Sequence, residues 1–89
     1  MYYLAVENGE DLDIYDGASG HLVIKCWKDG YRMKYYLTIY ANSIRASDPI
    51  GSRPAIDTLI QVYTVMIAQG NTIGAAIVGE YIHIFEGQE

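Results

Sequence analysis

Basic and aromatic side chains alternate along one predicted hairpin, and this pattern is suited to binding an anionic partner. The stretch CWKDGYRMKYY, residues 26–36, turns at Asp29 and Gly30. A two-residue loop there predicts that Lys25 lies opposite Lys34, on the sheet face that points away from the core. Rings on such a face can stack on a partner, while cations pair with its acidic groups. The predicted partner-binding residues are Lys25, Trp27, Arg32, Lys34, Tyr36 and Tyr40.

A structural role for the same hairpin is the competing interpretation. Residues 1–20 carry five acids and no base, so a neighbouring strand can bring Asp11 or Asp13 beside the lysines. The loop also sets Trp27 opposite Arg32, as an ordinary cation–π pair on a sheet surface. The formal net charge of −5 argues against nucleic acid as the first choice of partner, because nucleic-acid-binding surfaces are usually basic.

The loop RASDPIGSRP contains a second candidate, a site for a small anion. Arg45 and Arg53 bracket a predicted helix start at Ser52. The free backbone amides of a helix N-terminus attract phosphate, and arginines add to that attraction. The predicted anion-binding residues are Arg45, Ser52 and Arg53, and a signalling nucleotide is the kind of ligand they would hold. Simple capping of the helix by Ser52 is the alternative, since the loop lacks the GxxxxGK spacing of nucleotide-binding loops.

The residues that usually perform catalysis are few and scattered. The single cysteine, Cys26, alternates with apolar residues and is predicted to be a buried, inert thiol. His21 and His83 are the only histidines, and no third group is indicated that would orient a pair of Cys26 with either of them. The acids of the first twenty residues miss the spacing of a calcium-binding loop. The sequence therefore predicts no enzyme, no metal site and no cofactor.

The elements that must position these residues predict one α+β domain over residues 1–89. In the first hairpin a three-residue loop is predicted, because it places Leu4 and Val6 opposite apolar residues of the second strand. The order ββββαββ predicts an antiparallel sheet with one helix packed on one face. The predicted strands cover residues 2–6, 11–15, 21–28 and 31–41, the helix runs from Ser52 to Gly70, and a final hairpin covers residues 73–85 with its turn at Gly79 and Glu80.

Apolar residues exceed what one small core requires. The predicted helix has an apolar arc of about 200°, which is wider than one sheet face covers. Nine tyrosines add side chains that are well suited to interfaces. A homodimer or a different protein partner is therefore expected. The N-terminal sequence lacks the pattern of a signal peptide and no apolar run approaches about 20 residues, so the expected location is the cytoplasm, or the host cytoplasm if the protein is viral.

Residues 47–85 resemble part of several small phage anti-CRISPR proteins. The apolar helix SRPAIDTLIQVYTVMIAQG, followed by AAIVGEYIHIF after an N-terminal meander, is similar to them in size, acidity, tyrosine content and element order. The resemblance implies a non-enzymatic inhibitor that occludes a protein partner, such as a CRISPR-type defence complex, often as a dimer. The residues themselves leave two alternatives open, which are a sponge for a small anionic ligand and a sheet that binds single-stranded nucleic acid.

Overall fold

The structure, a computed structural model, describes residues 2–89 and consists of a five-stranded antiparallel sheet followed by two helices. The strands lie side by side in chain order. The predicted α+β class and the antiparallel sheet are therefore confirmed. The strands are β1 Tyr3–Asn8, β2 Asp11–Asp16, β3 Leu22–Asp29, β4 Lys34–Ala41 and the short β5 Ile44–Arg45, and the helices are α1 Ser52–Ala68 and α2 Thr72–Gly87.

Helix α2 replaces the predicted final hairpin, so the order ββββαββ with a single helix is wrong. The β-branched residues and the glycine at position 79 suggested two strands for residues 73–85. The buried residues of this segment instead recur at intervals of three and four, which is the helical period. Burial of that face outweighs the weak helix propensity of glycine and of β-branched residues. The buried residues are Gly74, Ala75, Val78, Tyr81 and Phe85.

Both helices cover the same face of the sheet. Helix α1 confirms the helix expected after residue 51. Gly70, with a φ of 76°, follows the C-cap residue Gln69 and terminates this helix. Neither helix in the described part of the chain is long and apolar enough to cross a lipid bilayer. The core consists of Leu12, Ile14, Ile24, Cys26 and Leu37 from the sheet, Ala55, Ile56, Leu59, Val62 and Met66 from α1, and Ala75, Val78, Tyr81 and Phe85 from α2.

The hairpin of β3 and β4 has a four-residue loop, residues 30–33, and not the predicted two-residue loop. The side chain of Asp29 explains the longer turn, because its carboxylate accepts hydrogen bonds from the backbone N–H groups of Tyr31 and Arg32. Lys25 therefore lies opposite Thr38. The predicted like-charge pair of Lys25 with Lys34 is not formed. The loop is longer by an even number of residues, so each side chain keeps its predicted face.

The same register places the other members of this hairpin differently. Trp27 lies opposite Tyr36, and the predicted pairing of Trp27 with Arg32 is wrong. Arg32 lies in the turn itself, where Met33 closes the loop with a φ of 57°. An aromatic pair across the two strands thus takes the place of the expected cation–π pair.

The first hairpin turns through two residues, Gly9 and Glu10, so the predicted three-residue loop is wrong. Gly9 has a φ of 63°, which a tight hairpin turn requires at this position. Leu4 then lies opposite Tyr15, and Val6 lies opposite Asp13. The side chains of Leu4 and Val6 consequently point away from the helices, and 47% and 48% of their surfaces are exposed.

Asn71 both starts α2 and attaches it to the sheet. Its side-chain oxygen accepts a hydrogen bond of 2.9 Å from the backbone N–H of Gly74, as an N-cap residue does. Its amide nitrogen donates a hydrogen bond of 3.1 Å to the carbonyl oxygen of Tyr3 in β1. A Cβ atom at position 74 would lie 2.5 Å from the Asn71 side chain, so glycine is required there.

Replacement of Asn71 tests this dual role. We expect Asn71→Ala to lower the free energy of unfolding by about 1–2 kcal/mol, because the cap and the link to β1 are both lost. Asn71→Asp is the matched control, since it keeps the capping oxygen and loses only the donor to Tyr3. Urea denaturation of the three proteins measures the difference, and equal stability of Asn71→Ala and the unchanged protein would contradict the assignment.

Candidate functional site

The sheet face opposite the helices, called the open face below, carries most of the predicted partner-binding residues. No other element of residues 2–89 covers it. Its side chains alternate along β3 and β4 with those of the core. Lys25, Trp27, Tyr36, Thr38 and Tyr40 lie on this face.

An ion pair lies at the centre of the open face. The ammonium group of Lys25 is 3.0 Å from a carboxylate oxygen of Asp13 and 3.5 Å from one of Asp11. The surface of Asp13 is only 7% exposed. The hydrogen bond with Asp13 raises the pKa of Lys25 above its usual value of 10.5. The charge of Lys25 is thus compensated within the sheet, as the structural interpretation of this hairpin predicted.

Trp27 is held on this face by contacts with two side chains of β4, Thr38 and Tyr36. Its indole N–H donates a hydrogen bond of 3.0 Å to the hydroxyl oxygen of Thr38, which fixes the ring. Its ring centroid lies 5.4 Å from that of Tyr36, with the planes tilted by 33°. Such offset aromatic pairs are favourable and present a broad apolar surface.

Two shallow depressions share Trp27 and Pro49, and together they are called the Trp27 groove. One has a volume of about 330 Å³ and the other of about 220 Å³. Arg45 lines the first and Arg32 lines the second, so an arginine lies in each half. The remaining lining residues are Lys25, Thr38 and Tyr40 in the first depression and Asp29 and Tyr36 in the second.

Both arginines are exposed and already oriented by neighbours. Arg45 lies opposite Tyr40 in the β4–β5 pair, and its guanidinium contacts the carboxylate of Asp48 at 2.8 Å. A hydrogen bond with the side chain of Tyr36 raises the pKa of Arg32 above its ordinary value. These contacts are solvent-exposed, so they cost little to exchange for the acidic groups of a partner.

The predicted partner-binding set is therefore brought together in large part. Arg32 reaches the face from the turn, while Lys34 lies exposed opposite Asp29 at the beginning of β4 and lines neither depression. Sequence reasoning missed Thr38, Pro49 and the place of Arg45. The position of Arg45 could have been predicted from Asn42. Asn42 begins a two-residue turn in which both residues have positive φ, and this turn folds β5, which contains Arg45, back onto β4.

The predicted anion-binding residues Arg45, Ser52 and Arg53 do not converge on one site. The hydroxyl of Ser52 accepts a hydrogen bond from the amide of Gln88, and Gly51 occupies the N-cap position of α1 without a side-chain cap. Arg53 forms an ion pair with Glu89 at 3.0 Å. Arg45 belongs to the Trp27 groove.

Other candidate chemistry is not assembled in the described residues. Cys26 is fully buried, and burial raises its pKa to about 12, so the thiolate is strongly disfavoured at neutral pH. His83 pairs with Glu86 at 3.3 Å on the exposed side of α2, and His21 contacts Ser43. No group of three metal-ligating side chains occurs among residues 2–89.

A second cavity, of about 250 Å³, lies between the sheet and α1. The β2–β3 register shifts beside it, between Ile14 and Tyr15. Its one carboxylate, Asp16, is already bonded to the backbone N–H of Ala18 and the hydroxyl of Ser19. None of its lining residues is a cation, whereas an arginine lines each half of the Trp27 groove. Its lining residues are Tyr3, Asp16, Val23, Ile24, Ile39, Tyr40, Thr58, Gln61 and Val62.

Comparison of the chain with family models, curated proteins and solved structures finds no match. The geometry of this chain is therefore the basis for assigning a function. That geometry consists of a fixed aromatic pair, two exposed arginines and a compensated central lysine on one open face. Tryptophan, tyrosine and arginine are the residue types that are enriched at the centres of binding interfaces.

Replacement of Lys25 tests the role of the central ion pair. We expect Lys25→Met to lower the free energy of unfolding at pH 7 by roughly 1–3 kcal/mol, because the carboxylate of Asp13 stays buried without its partner. Lys28→Met is the matched control. Lys28 pairs with the exposed Glu10 and lies 6.0 Å from the centroid of the Tyr35 ring, both of which are weak contacts, so its loss should cost about 1 kcal/mol or less.

The pH dependence of the same variants gives an independent check. Because the pKa of Lys25 is raised in the folded protein, the stabilisation by its charge is fully present below pH 10.5 and is lost as the pH rises through the folded-state pKa. The stability difference between the unchanged protein and Lys25→Met should therefore shrink above pH 10.5. A difference that stays constant from pH 7 to that range and beyond would contradict the pairing.

Proposed function

We propose that this protein is a non-enzymatic binding protein that occludes a protein partner with the open face of its sheet. The Trp27 groove is the contact surface, and an acidic segment with some apolar side chains is the chemistry that it fits. One observation carries the proposal, which is the rigid pair of Trp27 and Tyr36 between two exposed arginines.

This arrangement has the properties of an interface centre. Tryptophan, tyrosine and arginine are the residues that most often dominate binding energy at protein interfaces. Trp27 is held by Thr38 before any partner arrives, so little side-chain entropy is lost on binding. Arg32 and Arg45 lie at the rim, where charges mainly increase the rate of association and select the partner.

A phage-defence complex of the CRISPR type is the partner class that we propose, on the basis of the resemblance to small anti-CRISPR proteins. Size, acidity and tyrosine content support that resemblance, whereas the second half of the chain ends in α2 and not in a hairpin. Inhibition would follow from occupation of a surface, and no catalytic group is needed for it. A cytoplasmic location is part of the same proposal.

A small aromatic anion or a single-stranded nucleic acid is the second candidate. The Trp27–Tyr36 pair favours it, because a nucleobase can stack on such rings while arginine contacts a phosphate. The acids Asp11, Asp13 and Asp29 on or beside the same face oppose a long polyanion. A protein partner is therefore preferred.

Photo-crosslinking in cells of the protein's own source tests which face is used. A photoreactive phenylalanine derivative is introduced at Tyr36 in one variant and at Tyr63, on α1, in the control variant. We expect the variant at position 36 to form a covalent adduct with a protein, identified by mass spectrometry. Adducts only from position 63 would contradict the proposal.

Charge reversal then tests the rim with the purified partner. We expect Arg32→Glu and Arg45→Glu each to weaken binding about tenfold or more, because acidic groups of the partner would be repelled. Arg53→Glu is the control, since it makes the same charge change at an exposed arginine outside the groove. Equal weakening by Arg53→Glu would mean that net charge, and not the groove, determines binding.

Titration with defined probes separates the two candidate functions. Trp27 is the only tryptophan, so its fluorescence reports directly on the groove. A fifteen-nucleotide oligothymidine and a cyclic dinucleotide are the probes for the second candidate. At physiological salt we expect no saturable change with either. A saturable change that Arg45→Glu abolishes would favour the ligand or nucleic-acid function instead.

A further inference from the structure

The outer sides of β4 and β1 differ in how many of their backbone groups are hydrogen-bonded. The outer edge of β4 is closed along its length by backbone and side-chain groups from later in the chain. Ile39 bonds to the hydroxyl of Ser47, and Leu37 exchanges two backbone hydrogen bonds with Ile50. The amide of Gln88 accepts from the backbone N–H of Tyr35 at 2.6 Å and donates to its carbonyl at 3.1 Å.

The outer edge of β1 is open at two residues. The carbonyl of Tyr2 accepts a hydrogen bond from Gly17 on the inner side, whereas the carbonyl of Tyr3 accepts one from Asn71 on the outer side. Backbone groups alternate along a strand, so those of Ala5 and Glu7 also point outward. Within residues 2–89 nothing hydrogen-bonds to these two residues from that side.

Strand β1 has little of the usual protection of an edge. Proteins generally blunt a free edge with charged residues, especially lysine, with proline or with a bulge. The strand sequence YLAVEN contains no lysine or proline, pairs regularly with β2 and has one charged side chain, Glu7. Two apolar side chains, Leu4 and Val6, stand exposed beside the free backbone groups. The free backbone groups and exposed apolar side chains of β1, on the opposite side of the sheet from the occupied side of β4, are the features of a surface that another strand can cover.

We propose that a second copy of this chain covers it, with the two β1 strands paired in antiparallel orientation about Val6. Asn71 blocks addition at Tyr3, so only Ala5 and Glu7 can accept a new strand. When Ala5 of each copy pairs with Glu7 of the other, the free backbone N–H and C=O groups of all four residues form hydrogen bonds. Val6 then meets Val6 of the second copy on the two-fold axis.

The register is self-consistent in packing and charge. Val6 buries its exposed surface against an identical side chain, which is a favourable cross-strand pair. Glu7 faces Ala5 of the other copy, so no like charges are directly opposed. The outer side of β4 is occupied, and the edge strand beyond it, β5, has only two residues. Because β1 is then the edge that offers a longer pairing surface, its pairing with a second β1 gives a closed two-fold dimer and not a fibre.

The dimer has a consequence for binding. The two-fold axis of this dimer is normal to the sheet. The two five-stranded sheets therefore form a single ten-stranded sheet, and both open faces lie on the same side of it. Two Trp27 grooves would then face one partner surface, which increases avidity for a partner that offers two matching sites. The dimer itself does not depend on the proposed function, since Val6 lies outside the groove.

Disulfide trapping tests the register. In this arrangement the two Cα atoms of Val6 lie about 4.5 Å apart as a non-hydrogen-bonded pair, which suits a disulfide. We expect Val6→Cys to give a covalent dimer under mild oxidation. Leu4→Cys is the matched control, because Leu4 is equally exposed on the same strand, yet its two copies would lie about 14 Å apart. The native Cys26 is buried and does not compete.

Sedimentation equilibrium of uncrosslinked protein tests the dimer itself. We expect Val6→Lys to raise the dimer dissociation constant at least tenfold, because two ammonium groups would meet on the axis. Ile67→Lys is the control, since Ile67 has the same 48% exposure but lies on α1. Dissociation by Ile67→Lys alone, equal trapping of Leu4→Cys, or an unchanged protein that stays monomeric at about 100 μM would overturn the proposal.

Discussion

A sheet that is covered on only one face is the constraint on which the rest of this structure depends. The helices bury one side, so the other side must be stable in contact with water. The ion pair of Lys25 with Asp13 meets this requirement at the centre of the open face, where a nearly buried carboxylate needs a cation within hydrogen-bonding distance. With that charge compensated, Trp27 and the two arginines are left as the groups available for recognition.

Side-chain amides complete the construction where backbone pairing stops. Asn71 joins the start of α2 to the beginning of β1, and Gln88 joins the region just after α2 to β4. The two ends of the second helix are thus linked to β1 and β4, and the segment from β5 to Ile50 occupies the rest of the outer side of β4. Only the short open segment around Val6 remains, and it can accept one strand of the same kind. The two proposals thus use separate parts of the sheet, with recognition assigned to the Trp27 groove and assembly assigned to β1.

Periodic patterns predicted the faces of this fold, whereas turns and contacts from distant residues decided its registers. The alternation in β3 and β4 correctly divided Cys26 from Trp27, because burial sets the face of each residue. The pairing failed because the Asp29 carboxylate stabilises a longer turn. Helix α2 was missed because its glycines and β-branched residues favour strands locally, while packing against the sheet decides the outcome. Arg45 joined the groove only through the fold of β5.

Fluorine NMR of protein labelled with 5-fluorotryptophan tests whether the open face binds the partner. The chain has one tryptophan, so the spectrum contains one signal, and it comes from the centre of the groove. The spectrum of the free protein is compared with that of its complex with the partner identified by crosslinking. We expect a shifted and broadened Trp27 signal in the complex, because the partner would cover the indole. A complex in which this signal keeps its free chemical shift would contradict the claim that the open face binds the partner.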